Sequence, residues 1–144
     1  MGIAPTTADF VKEAAISDMF EIDTSQLASQ GGEAKSKAFA TQMIEDHQKT
    51  SSQLKSMVQS GSAQAEIPTA LDGAHKEMLE KLRTLHGHAF VTEYRRDQIS
   101  GHEDAVALFR RYAQNGDNAQ LKNWAGQTLP TLEHHLELAR NLPK

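Results

Sequence analysis

The chain contains no cysteine, and this removes disulfide staples, thiolate metal ligands and thiol nucleophiles from its available chemistry. It leaves the compartment open, because periplasmic proteins can do without disulfides. Proline (four residues) and glycine (nine) are sparse, which suits a helical protein better than a β-rich or disordered one. No stretch alternates apolar and polar residues for long enough to read as a strand. No apolar run approaches the roughly 20 residues of a membrane-spanning helix, and no charged-then-apolar leader is visible. Lys and Arg number 15 against 19 Asp and Glu, giving a net charge of −4. With no dense basic cluster, neither nucleic acid nor an anionic membrane is an expected partner.

What is present fits one unit. A chain of 144 residues is a natural size for a single domain able to bury its own core. Residues 1–6 are expected to lie ahead of that domain as a disordered lead. Met1-Gly2-Ile3 reads as an expression start placed before a mature sequence whose export signal has been cut away.

Apolar residues then recur at helical spacing in five runs. Thr6 or Thr7 caps a first helix carrying Phe10, Val11, Ala14, Ala15, Met19 and Ile22, which Gly31-Gly32 stops. A second runs from about Glu33 to Ser60 on Phe39, Ala40, Met43, Ile44, Leu54 and Val58. Residues 61–68, GSAQAEIP, form the one long linker, and Pro68 suits the start of a short third helix that ends at His86-Gly87-His88. A fourth begins near Ala89 and runs to the turn at Asn115-Gly116. The last spans about Ala119 to Asn141, with a kink or a boundary expected at Pro130. Short turns within the first and last pairs, and a long middle connection, predict an all-α, ferritin-like antiparallel four-helix bundle with an additional short helix in the crossover.

The informative residues are the ionisable ones that fall on stripes that must be buried. His47 lies four after Met43 and seven before Leu54, in the middle of the second helix's apolar face. His102 lies three after Ile99 and four before Val106, and His135 three after Leu132 and four before Ala139. Both hold the same central place on their helices, and His134, one residue away, turns outward. On the first helix Glu21, seven after Ala14, sits at the edge of the stripe. A rise of about 1.5 Å per residue puts Glu21 and His47 roughly 14 and 21 Å from the first turn, and His102 and His135 roughly 20 and 26 Å from the last.

Burying each of these groups without a shared partner costs about 1 to 3 kcal/mol per unmet group. One divalent cation satisfies all four together. His47, His102, His135 and Glu21 are therefore the candidate ligands of a single transition metal, Zn²⁺ first, with Cu²⁺ or Fe²⁺ as alternatives. The residues three before the histidines are Ile44, Ile99 and Leu132, so the Glu-x-x-His pairs of a di-iron centre are absent. His75, His86 and His88 read as a helix edge and a polar break. Asp46 and Glu103 are the outer-shell candidates, and Glu45, Glu133 and Glu137 read as solvated surface.

The stretches FVKEAAISDMFEI, MIEDHQKTSSQL, LRTLHGHAFVTEY, GHEDAVALF and TLPTLEHHLELA resemble the bacterial ferritin-like family known as domain of unknown function 4142, from about Thr7 to Leu142. Glu21, Asp46, His47, His102 and His135 fall on positions of the family's pattern. The resemblance implies an exported, periplasmic protein. One departure is visible: Phe90-Val91 stands where the family usually has Phe-Asp.

No nucleophile or acid–base pair is evident, so an enzyme is not the expectation. Two functions compete. One is a non-enzymatic bundle binding one metal ion. The other is a metal-free envelope or stress-related interaction module, whose buried histidines are structural or sense pH. No protein partner can be named from the sequence.

Overall fold

A computed structural model of the chain describes residues 3–31 and 33–144. The expectations for Met1 and Gly2, and Gly32's share in stopping the first helix, lie outside the described residues. The described residues form five helices and no strand: α1 (Thr7–Gly31), α2 (Ala34–Gln59), α3 (Gly73–Arg83), α4 (Gly87–Asn115) and α5 (Ala119–Arg140). None of them is long and apolar enough to cross a membrane.

Local chemistry sets the starts. The Thr6 hydroxyl accepts the Asp9 N–H at 3.2 Å, and the Asn118 side chain accepts the Leu121 N–H at 3.0 Å. Each relieves one of the unpaired donors at a helix N-terminus. The third helix opens later than Pro68 suggests. Asp72 caps it by accepting the His75 N–H at 2.9 Å, and residues 64–68 take up no regular secondary structure. Gly87 makes the break before α4 with φ of 58°, a backbone region that favours glycine.

The last helix is continuous through Pro130, so the expected boundary is absent. Proline withdraws the donor that would meet the Gly126 carbonyl. Both residues are at least partly open to solvent, and water can take that place.

The four long helices form two hairpins. α1 packs against α2 and α4 against α5, while contacts of α1 with α4 and of α2 with α5 join the pairs. The α2–α3 connection passes the α4–α5 turn, where the Asn118 side chain donates to the Ser62 carbonyl at 2.6 Å. α3 then carries the chain to the other end of the bundle, where Leu82 joins Phe39, Phe90, Tyr94 and Leu142.

The core has two main apolar halves. One gathers Phe10, Leu54, Phe109, Tyr112, Trp124 and Leu132. The other gathers Ala28, Phe39, Met43, Leu82 and Phe90. Where the two halves meet lie buried polar groups: Asp18, Glu21 and Thr24 on α1, His47 on α2, Gln98 and His102 on α4, and His135 on α5.

The first half is held by aromatic contacts. Phe10 is fully buried, stacks on Tyr112 with centroids 4.1 Å apart and meets Phe109 edge-on at 5.0 Å. Phe10→Ala is expected to cost about 3 to 5 kcal/mol of unfolding free energy in urea titration. A loss below about 1 kcal/mol would mean that the cavity collapses and that this end of the bundle is not tightly packed.

Candidate metal centre

The long helices put one histidine each from α2, α4 and α5 into the polar layer. His47, His102 and His135 are each no more than 2 % exposed. Their ring centroids lie 5.6, 5.2 and 5.3 Å apart. One nitrogen from each ring can be chosen so that all three lie within 4.8 Å of one another.

The hydrogen bonds decide what those nitrogens can do. His47 Nδ1 faces Asp18 Oδ1 at 2.8 Å, and Thr50 donates to the same oxygen at 2.9 Å. His102 Nδ1 faces the Gln98 carbonyl at 2.8 Å. His135 Nε2 faces Asp46 Oδ2 at 2.7 Å. Every one of these partners is an acceptor, so each ring spends its N–H on its own anchor. What remains is His47 Nε2, His102 Nε2 and His135 Nδ1, all buried and with no hydrogen-bond partner. In the neutral tautomers those three atoms carry lone pairs. Three imidazoles, each fixed by an outer acceptor and with its other nitrogen free, are a group that could hold a metal ion.

Burial also tunes the rings. It pushes the His102 pKa down to about 3, helped by the nearby His47, and that of His135 down to about 4 despite its Asp46 partner. Both are therefore neutral near pH 7, the form that ligates a cation. His47 moves the other way. Burial opposes its charge, but the hydrogen bond and charge of Asp18, with Glu21 and Asp46, outweigh it and raise the pKa.

Glu21 is 2 % exposed, and burial pushes its pKa up to about 7, against the pull of His47 and Gln98. Its Oε2 has no partner, yet it lies outside the group of donor atoms formed by the three histidines. Asp46 orients His135, as an outer partner should, whereas Glu103 pairs with Arg140 on the surface at 3.2 Å. The sequence reading does not include Asp18 or the Gln98 carbonyl. Asp18 carries a signal, since it lies four after Ala14 and three before Glu21 on the buried stripe; a backbone carbonyl carries none.

His75 pairs with Asp72 at 2.7 Å and packs edge-on against Phe20, away from the layer. Val91 is buried eleven residues before His102, about 16 Å along α4. The departure at that position therefore does not reach the histidines.

A helical bundle with a histidine layer at its centre is the class that fold and site define. The chain belongs to the family described as a domain of unknown function, DUF4142, whose profile matches residues 1–142. No curated protein matches the sequence. The fold is similar to the solved structure of CopM in the Cu(II)-bound form, with a TM-score of 0.78 and 18% sequence identity, over 96% of this chain and 95% of that one.

Without metal the layer carries a pH signature. A depressed imidazole pKa contributes stability that is complete above the unfolded value of about 6.5 and drains away as the pH falls towards the folded value. At pH 5 the loss from His102 alone is about 2 kcal/mol relative to pH 7.5. Metal-free His102→Leu is expected to lose that much less between pH 7.5 and 5 in urea unfolding. Equal losses in variant and parent would show that His102 takes up a proton freely in the fold.

Proposed function

We propose that this protein binds one transition-metal ion through His47, His102 and His135, and that it handles the ion without catalysing a reaction. The observation that carries the reading is the set of three buried ring nitrogens without partners, on rings whose opposite nitrogens are anchored and which can each offer a nitrogen within 4.8 Å of the other two. A core that needed these rings only for packing would leave three acceptors unmet at about 1 to 3 kcal/mol each.

Imidazole donors suit Zn²⁺, Cu²⁺ and Fe²⁺ alike, and the Irving–Williams order places Cu²⁺ above the others at equilibrium. The fold's likeness to CopM, solved with Cu(II), supports the same choice. We therefore put Cu²⁺ ahead of the Zn²⁺ that residue type alone suggests. A bound ion would supply a Lewis-acidic centre with a coordination position that these three residues do not fill, which suits exchange better than a closed structural site. Asp18, Asp46 and the Gln98 carbonyl hold the rings in the ligating tautomer. An exported location and a ferritin-like relationship of the helices belong to the same reading, by family resemblance and by the long α2–α3 crossover.

Untagged metal-free protein is expected to take up about one Cu²⁺ per chain in equilibrium dialysis, with an electron paramagnetic resonance spectrum showing nitrogen coupling. His47→Ala/His102→Ala/His135→Ala is expected to lose both. Equal uptake by the triple variant would assign binding to exposed histidines such as His86 and His134 and sink the reading. Asp18→Asn, which removes the anchor's charge from His47, is expected to weaken affinity about 10- to 100-fold. An unchanged affinity would show that His47 does not depend on that anchor.

A further inference from the structure

The three histidines are enclosed, so a cation must cross the helix layer to reach them. Two cavities flank the layer. The larger, about 490 Å³, lies between α1 and α4 beneath the Asp72–Met78 stretch, and Glu21 forms part of its wall. The smaller, about 180 Å³, lies between α2 and α5 with Asp46 and Thr131 on its wall.

Their chemistry differs. The larger cavity is lined by the carboxylates of Glu13, Glu21, Asp72 and Asp104, against the single guanidinium of Arg111 and the imidazole of His75. Among the described residues Glu13 and Asp104 form no ion pair with a Lys, Arg or His. Glu21 links this cavity to the layer. Its side chain is almost fully buried, its Oε2 has no partner, and its charge acts on His47.

The helix across from it makes room. Gly101, also on the cavity wall, directly precedes His102, and a Cβ there would come within 3.2 Å of Glu21 Oε1. Glycine in a helix interior is less favourable than alanine. Here it lets the carboxylate lie against the α4 backbone beside a ligand histidine.

We propose that the cavity between α1 and α4 is the route by which a divalent cation reaches the histidine layer, and that Glu21 is the carboxylate that hands it from the cavity to His47. The acidic wall concentrates cations at the mouth, and Glu21 replaces part of their hydration on the way in. This rests on the three-histidine site proposed above. Glu21 acts as a carrier, so it lowers the barrier in both directions, and its charge changes the equilibrium affinity much less than it changes the rates.

Stopped-flow mixing of metal-free protein with Cu²⁺, followed by chelator stripping and equilibrium dialysis, separates a carrier from a ligand. Glu21→Gln is expected to slow loading and stripping alike, by about tenfold, with the parental stoichiometry and an affinity changed by no more than about threefold. Glu13→Gln/Asp104→Asn, whose changes lie on the rim and do not depend on a buried substitution folding, is expected to slow loading about two- to fivefold and to flatten its dependence on ionic strength. Thr131→Trp, which fills the opposite cavity, is expected to load at the parental rate. The route is overturned if Glu21→Gln and the rim variant load normally, if Thr131→Trp is the slow one, or if Glu21→Gln strips faster with weaker affinity, which would make Glu21 a ligand. A parent protein that takes up no Cu²⁺ at equilibrium overturns the three-histidine site itself, and the route with it.

Discussion

Three imidazoles facing one another in a closed core are the constraint around which this bundle is organised. Each ring has a donor and an acceptor to satisfy away from water. The donors are satisfied by Asp18, the Gln98 carbonyl and Asp46, reached across or along the helices. The acceptors are left without a partner. This pattern explains why the main apolar core divides into halves, and why Thr50, itself half-buried, also turns to Asp18. A fold that keeps such a layer accepts lower stability there than an apolar layer would give, a trade common at binding sites.

The charges around the layer are graded. Asp46 keeps partial contact with solvent, and burial outweighs its pull on His135, holding that ring's pKa at about 4. Asp18 is buried, and together with Glu21 it keeps His47 more basic than an ordinary histidine. His102 has only a carbonyl for an anchor and is the least basic of the three, at about 3. The rings thus form an uneven set: two are neutral near pH 7, and one sits beside two buried carboxylates. The asymmetry follows from which helix supplies each anchor, since α1 brings Asp18 and Glu21 on one face while α4 brings no carboxylate to His102.

Much of this is legible in the order of residues. Apolar spacing puts His47, His102 and His135 on the inward faces of their helices, and all three are buried. The five helices follow from the same periodicity, with Gly87 and the Gly116 turn as their breaks. Where spacing and proline positions mislead, the reason is local. Pro68 suits a helix start, but Asp72 owns the carboxylate that accepts the His75 N–H, and the helix begins there. Pro130 forbids one hydrogen bond, but at a solvent-facing position of a helix packed on both sides of it, that is too little to end α5.

Sequence by itself determined which side chains must be inward, because burial on a helix is a matter of period, and period is written in the order of residues. It also determined that no thiol takes part. Tertiary structure decided which nitrogen of each ring is anchored and which is left without a partner, because the anchors come partly from other helices: Asp18 of α1 for His47 of α2, and Asp46 of α2 for His135 of α5. It decided too that Glu21, though buried in the same layer, lies outside the group of donor atoms that the three histidines form. The rise along a helix sets a level to within a turn, but a donor atom's place is set to within an ångström, by rotamer, lean and packing, and those exist only once the four helices have met.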